Sequence, residues 1–221
     1  MNSFGLLFAY RRAFAEGLFV TGQLVLLSCI AGSIFGTCLE FAASLAGPLV
    51  RRLLDAIAFC LAAIPALVIL FWIHFPLQSL LDVVVRPFYT ALVTLSLLNT
   101  FFIYRIVADA VGEFPTQYLV AARVCGLDLR TTFIKVKAPI LLRTIMPRWI
   151  DQQVAILHTS LFASFISVEE TFRVAQRVNS QLYRPVLIYT AIAILFLSTT
   201  GPVLLLSRRL RTAAFRDFSE R

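Results

Sequence analysis

The feature that most constrains this chain is a recurrence of long uncharged apolar windows: Gly17 to Leu39, Ala56 to Ile73, Pro87 to Tyr104, Gln152 to Val168 and Pro185 to Ser207. A bilayer's hydrocarbon core is about 30 Å thick and takes about 20 apolar residues of helix to cross. Lipid offers no partner to an unbonded backbone group, so each window is expected as a helix, which satisfies its own backbone. Five spans over approximately 17–39, 56–75, 87–108, 150–168 and 185–207 make one all-α integral membrane domain of the whole chain, 1–221. The composition agrees: 59% of residues are hydrophobic and 14% charged, against about 25% charged in soluble domains. The first window is far longer than the ~7–15 apolar residues of a signal peptide and is read as a retained span.

The net charge of +8 does not point to nucleic acid, because the basic residues sit at the ends of the apolar windows. In a five-span chain one face receives Arg51 and Arg52, the run Arg123, Arg130, Lys135, Lys137, Arg143 and Arg148, and the tail Arg208, Arg209, Arg211, Arg216 and Arg221. By the positive-inside rule that face is cytoplasmic, which places the N-terminus outside and the C-terminus inside. Arg11 and Arg12 then lie on the outer side, accommodated if Ser3 to Ala15 rests on the membrane surface as an amphipathic helix. Cys29, Cys38, Cys60 and Cys125 have no CxxC spacing and no His cluster, and read as small hydrophobes. No metal site is expected.

The connection between the third and fourth windows, approximately 112–148, is much longer than the 2–8 or so residues that merely join packed helices. Its pattern reads helix, turn, helix: Pro115 opens it, Tyr118 to Cys125 is helical, Gly126 permits a left-handed break, and Leu127 to Val136 resumes before Pro139 stops it. On pattern alone this is either a docking element or a surface hairpin that steadies the bundle.

Within that connection, Val120-Ala121-Ala122, Gly126 and Val136-Lys137-Ala138-Pro139 keep the spacing of Glu-Ala-Ala, three residues, Gly, nine residues, Ile-x-Leu-Pro. That is the signature of the membrane subunits of bacterial ABC importers, which the chain resembles. Glu16-Gly17-Leu18 to Thr21, Ser164-Phe165-Ile166-Ser167-Val168-Glu169-Glu170 and Arg173-Val174-Ala175-Gln176 resemble the polar amino acid uptake branch, and the likeness covers almost the whole chain. It implies a type I importer permease fold of five transmembrane helices with a cytoplasmic coupling helix in the bacterial inner membrane. It also implies a second permease subunit, two ABC ATPase subunits and a periplasmic substrate-binding protein.

In that frame Gln117, Val120, Ala121, Ala122, Arg123, Gly126 and Pro139 form the ATPase-coupling loop, with Val120 replacing the family's Glu. Pro65, Asn99, His158, Thr159 and Ser160 are the substrate-path candidates. Glu169 and Glu170 are candidates for the side that meets the binding protein. Several positions depart from the branch: the second span reads Ala62-Ala63-Ile64-Pro65-Ala66-Leu67 without the usual Arg and Thr. Arg105 and Ala108 stand where a Glu and an Arg are usual, and His158-Thr159-Ser160-Leu161 replaces Lys-Asp-Thr-Ser. Either a non-identical partner subunit supplies the substrate contacts, or the cargo differs from ordinary polar amino acids.

Catalytic residues are not expected: there is no phosphate-cradling loop with Lys, no HExxH and no nucleophile elbow. The chain is therefore read as no enzyme and as needing no cofactor, with ATP and Mg held by the partner ATPase. The competing reading is a non-transporting anchor or scaffold subunit of another complex. A redox anchor would want intramembrane His pairs, and His74 and His158 fall in different windows.

Overall fold

The computed structural model describes residues 10–219, with side chains as far as residue 212. Among these the chain is helical throughout, with no strand. Helix α1 is Arg11–Ala46, α2 Pro48–Ala63, α3 Ala66–Trp72, α4 Pro87–Gly112, α5 Thr116–Val124, α6 Leu129–Thr132, α7 Ala138–Ser160, α8 Thr171–Leu182 and α9 Pro185–Ser219.

Helices α1, α4 and α9 are long and apolar enough to cross a membrane, and α2 with α3 makes a fourth crossing if that bent pair counts as one. Helix α4 is central: 44% of its most apolar window is buried, against 22% in α1 and 17% in α9, whose remaining faces are left to lipid. At 1.5 Å per residue, the 36 residues of α1 outrun the hydrocarbon core. Its first turns carry the Arg12–Glu16 pair at 3.2 Å, and Arg11 to Ala15 belong to this helix rather than to a separate surface segment. The rest of that expected segment, residues 3–9, lies outside the described residues.

The α1–α4 contact is the most extensive in the bundle. It is close because α1 turns Leu24, Ser28, Gly32, Gly36 and Ala43 inward, a stripe of mostly small residues at helical spacing. A Cβ on Gly32 would stand 2.4 Å from the Asn99 side chain, and one on Gly36 would stand 2.6 Å from the Thr100 carbonyl oxygen.

The window at 56–75 does not form one straight helix. The chain bends by 100° between α2 and the helical run Ala66–Leu80. Pro65 is the cause: a residue preceding proline is pushed out of the helical region, and Ile64 is extended at φ −91°, ψ 129°. The window at 150–168 likewise spans two elements, the C-terminal half of α7 and a 3₁₀ segment, Leu161–Ile166. Helix α7 begins far earlier, and it carries Arg143, Arg148, Asp151 and His158, too polar to register by composition as a span.

The polar groups of α7 are partnered from three sides. The Trp149 indole N–H donates to Ser33 Oγ of α1 at 2.9 Å, and Asn99 Nδ2 of α4 donates to Gln153 Oε1 at 3.1 Å. Arg148 reaches Glu113 at 3.3 Å. From α9, Arg211 pairs with Asp151 and Ser207 Oγ donates to the Pro147 carbonyl at 3.0 Å.

Gly32→Val should overpack the α1–α4 crossing by about 1–3 kcal/mol. The melting temperature of the detergent-purified protein is expected to drop by several degrees, whereas Gly22→Ala, with nothing within 4 Å of the added Cβ, should leave it unchanged.

Candidate functional site

The connection between α4 and α7 folds as a hairpin. Pro115 caps α5, which runs to Val124, and the chain reverses at Gly126, whose φ of +71° lies in the left-handed region. That conformation costs an L-residue with a Cβ about 1–2 kcal/mol. Asp128 then caps α6, accepting a bond from the Thr131 N–H at 3.3 Å, and its carboxyl is held below the usual range by the hydrogen bonds from Thr131.

Ala122 is the one buried residue of α5, seated against the fold, while Gln117, Val120, Ala121, Arg123 and Gly126 are all exposed. Val120, Val124, Leu129 and Phe133 stay more than half exposed, an apolar crest on a basic hairpin.

The second arm differs from the sequence expectation at Pro139, which does not stop the helix. From Leu129 to Ser160 the chain remains helical, and a π turn over Phe133–Lys137 precedes α7, where Pro139 is in the first turn. Proline removes a donor and crowds the carbonyl four residues back; a widened turn relieves both without ending the helix. The hairpin is thus continuous with α7.

The five substrate-path candidates do not converge on one solute-sized space. Pro65 is exposed at the bend. Asn99 is fully buried, donating to the Ser28 carbonyl and to Gln153 at 3.1 Å each, and so bonds α1, α4 and α7 together. His158 is exposed and its ring lies 6.2 Å from that of Phe196 on α9. Thr159 points the other way, onto a void of about 10 Å³ shared with Ala66, Thr94 and Phe162. Space of that size is on the scale of one water. The Thr159 and Thr94 hydroxyls are turned back onto the carbonyls of Ala155 and Thr90, both at 2.8 Å. Ser160 is buried and bonds the Leu157 carbonyl.

At the opposite end from the hairpin, the two adjacent acids part company. Glu169 is exposed and pairs with Arg177 at 2.7 Å. Glu170, its neighbour among the candidates for the binding-protein side, is completely buried. Its carboxylate caps α8, accepting from the Phe172 and Arg173 N–H groups at 2.8 Å each, and Thr21 of α1 donates to it at 3.4 Å. Thr21 also bonds Thr171 at 2.8 Å, and Gly17 leaves room for this approach. Glu170 therefore fastens α8 to α1 and presents nothing to a docking protein.

A charged network at the hairpin end was not read from the sequence. Arg51 donates to the buried Glu40 at 2.7 Å, while Tyr104 donates to Asp55 at 3.1 Å. Arg105 lies 3.4 Å from Asp55 and 3.8 Å from Asp109. It joins α1, α2 and α4. The helical spacings of Arg51 with Asp55 and of Arg105 with Asp109 were the visible signal, whereas the Glu40 partner needed the fold.

Residues 28–212 match the family described as binding-protein-dependent transport system inner membrane component, and the chain belongs to that family. It is 27% identical over 200 residues to the glutamine transport system permease protein of Escherichia coli, covering 88% of this chain and 90% of that one. To a probable glutamine ABC transporter permease protein of Bacillus subtilis it is 22% identical over 166 residues, 75% of this chain and 76% of the relative. The fold is that of type I ABC importer permeases. A solved amino acid ABC transporter determined with histidines superposes with a TM-score of 0.80 at 20% identity, over 95% of this chain and 99% of that one. An inward-facing methionine ABC transporter superposes with a TM-score of 0.74 at 17% identity, over 93% and 98%. The chain is thus a membrane permease component of a binding-protein-dependent importer, and the anchor or scaffold alternative falls.

Burial pushes the Glu170 carboxyl up to about 7, well above the usual value of about 4.3. The fold therefore favours the protonated acid. Stability from this group is fullest near pH 4 and declines as pH rises through about 7. The melting temperature is expected to climb as pH falls from 8 to 6, and Glu170→Gln, which cannot titrate, should flatten that slope; equal slopes in both proteins would contradict the assignment.

Proposed function

We propose that this chain is one of two non-identical permease subunits of an ATP-driven importer for amino acids or related small polar solutes, working by alternating access. The observation that carries the coupling role is the hairpin: an exposed apolar crest on basic arms, reversed at Gly126 and continuous with α7. A soluble ATPase seated on the crest would push on α7 directly through Leu129 and Phe133 of the second arm, and α7 is bonded to α1, α4 and α9. Val120, in place of an acid, makes that seat apolar at this position. Two ATPase subunits would hold the ATP and Mg, and this chain would contribute no catalytic group.

The amino acid cargo is supported by the relatives, among them the two glutamine permeases named above. The non-identical partner is supported by the interior: the Thr159 void holds about 10 Å³, and its hydroxyls are spent on their own helix. A zwitterion in hydrocarbon needs charged or strongly polar partners, since an unpaired charge at the bilayer centre costs at least about 2.5 kcal/mol. A second subunit that supplies them would hold the substrate while this one completes the path.

Five spans, with α7 counted among them, put the hairpin and the C-terminus in the cytoplasm and the N-terminus in the periplasm. Glu169 and Arg177 would then face the periplasmic binding protein. The contacts are consistent with this arrangement, since Arg51, Arg105, Arg148 and Arg211 are all bonded at the hairpin end of the bundle.

The test is co-purification. The tagged permease in mild detergent should retain an ABC ATPase and a second, different permease chain, identified by mass spectrometry. Gly126→Val meets no atom within 4 Å of its Cβ but strains the turn, so it should insert normally and lose at least tenfold of transport-coupled ATP hydrolysis. Recovery of two copies of this chain alone would overturn the heteromeric reading, and full coupling in the variant would overturn the role of the hairpin.

A further inference from the structure

We propose that the cavity at the root of the hairpin binds the headgroup of an anionic phospholipid. The space, about 470 Å³, lies between the end of α4, the first half of α7 and the tail of α9. That is within the roughly 300–1,000 Å³ of ordinary ligand sites. Phe114, Ile140 and Pro147 give it an apolar floor, while Arg143, Arg148 and Arg211 stand around it with Glu113 on the wall.

The three guanidiniums are suited to a phosphodiester. Arg148 engages Glu113 through one nitrogen, and Arg211 engages Asp151 through one nitrogen. A guanidinium has five N–H donors in a planar fork, so both keep donors for phosphate oxygens.

The depth also fits. On α9 the exposed Leu205 and Leu206 give way within a turn to Arg208, Arg209 and Arg211, which marks the passage from hydrocarbon to headgroup level beside the cavity. Basic pockets between transmembrane helices on the cytoplasmic side are a recurrent form of headgroup recognition. A free phosphate would use the arginines but not the apolar floor, whereas a lipid uses both. A headgroup that carries its own ammonium would bring that cation among three guanidiniums. Since Phe114 and Pro115 also begin the hairpin, a bound lipid would brace the root of the coupling element.

The lipid assignment rests on the orientation proposed above, while lipid binding itself is read on the isolated assembly and does not depend on cargo or ATPase identity. The purified complex, stripped by detergent exchange, is titrated with phosphatidylglycerol, phosphatidylcholine or inorganic phosphate, and bound lipid is counted by native mass spectrometry. Phosphatidylglycerol should bind and resist displacement by millimolar inorganic phosphate. R143Q/R211Q should weaken it at least tenfold, and R143K/R211K, keeping the charge, should weaken it less. R52Q/R130Q, removing the same charge from the same end but outside the cavity, should have no effect. Equal binding of phosphatidylcholine, displacement by inorganic phosphate, or equal losses in the R143Q/R211Q and R52Q/R130Q proteins would each overturn the proposal.

Discussion

Helix α7 carries more polarity than hydrocarbon tolerates, and neighbouring helices partner much of it. Trp149 is met by Ser33, Gln153 by Asn99, Arg148 by Glu113 and Asp151 by Arg211, while Ser207 caps the carbonyl that Pro147 carries. These bonds draw α1, α4 and α9 around α7. Lipid offers them no alternative partner, so they act as fixed points between helices. The more exposed ion pairs among them are each worth no more than about 1 kcal/mol, and their main effect is on which helices move together.

The hairpin is not a loop hung from the bundle, because its second arm runs into α7 as one helical stretch from Leu129 to Ser160, widened but unbroken at the π turn. A push on Leu129 or Phe133 would therefore reach Trp149 and Gln153 along a continuous element. The first arm is different: it is separated from α4 by the non-helical link Glu113, Phe114 and Pro115. At the far end Glu170 fixes α8 to α1, so the two ends of the bundle are held by unlike means, a buried cap at one and partly exposed ion pairs at the other.

Much of this was legible in the sequence where a single physical rule decides. Uninterrupted apolar windows gave α1, α4 and α9, and Gly126 gave the left-handed reversal because its neighbours carry a Cβ. Pro65 stood in the sequence as a pathway candidate, and its 100° bend appeared only in the fold. The limits of the second and fourth windows were hidden, since hydropathy does not report where a helix breaks or how far a polar helix continues. Pro139 misled because proline usually ends helices, and here a π turn absorbs it. Glu170 misled as a candidate for the binding-protein side, because the Thr21 that helps to bury it comes from α1, far away in sequence. Asn99 was a pathway candidate, and its bonds to Gln153 and Ser28 needed the fold to be seen.

The proposed coupling requires the hairpin and α7 to move as one lever. Spin labels at Leu127→Cys and Met146→Cys, in the assembled transporter with the native cysteines replaced, report the lever itself, and labels at Leu127→Cys and Gly22→Cys report its motion against α1. Pulsed electron paramagnetic resonance with and without trapped nucleotide should show the first distance constant to within about 1–2 Å, the scale of small helix shifts, while the second shifts by more. A first distance that changes while the second stays fixed would mean that the hairpin flexes on its own and that α7 does not transmit its movement.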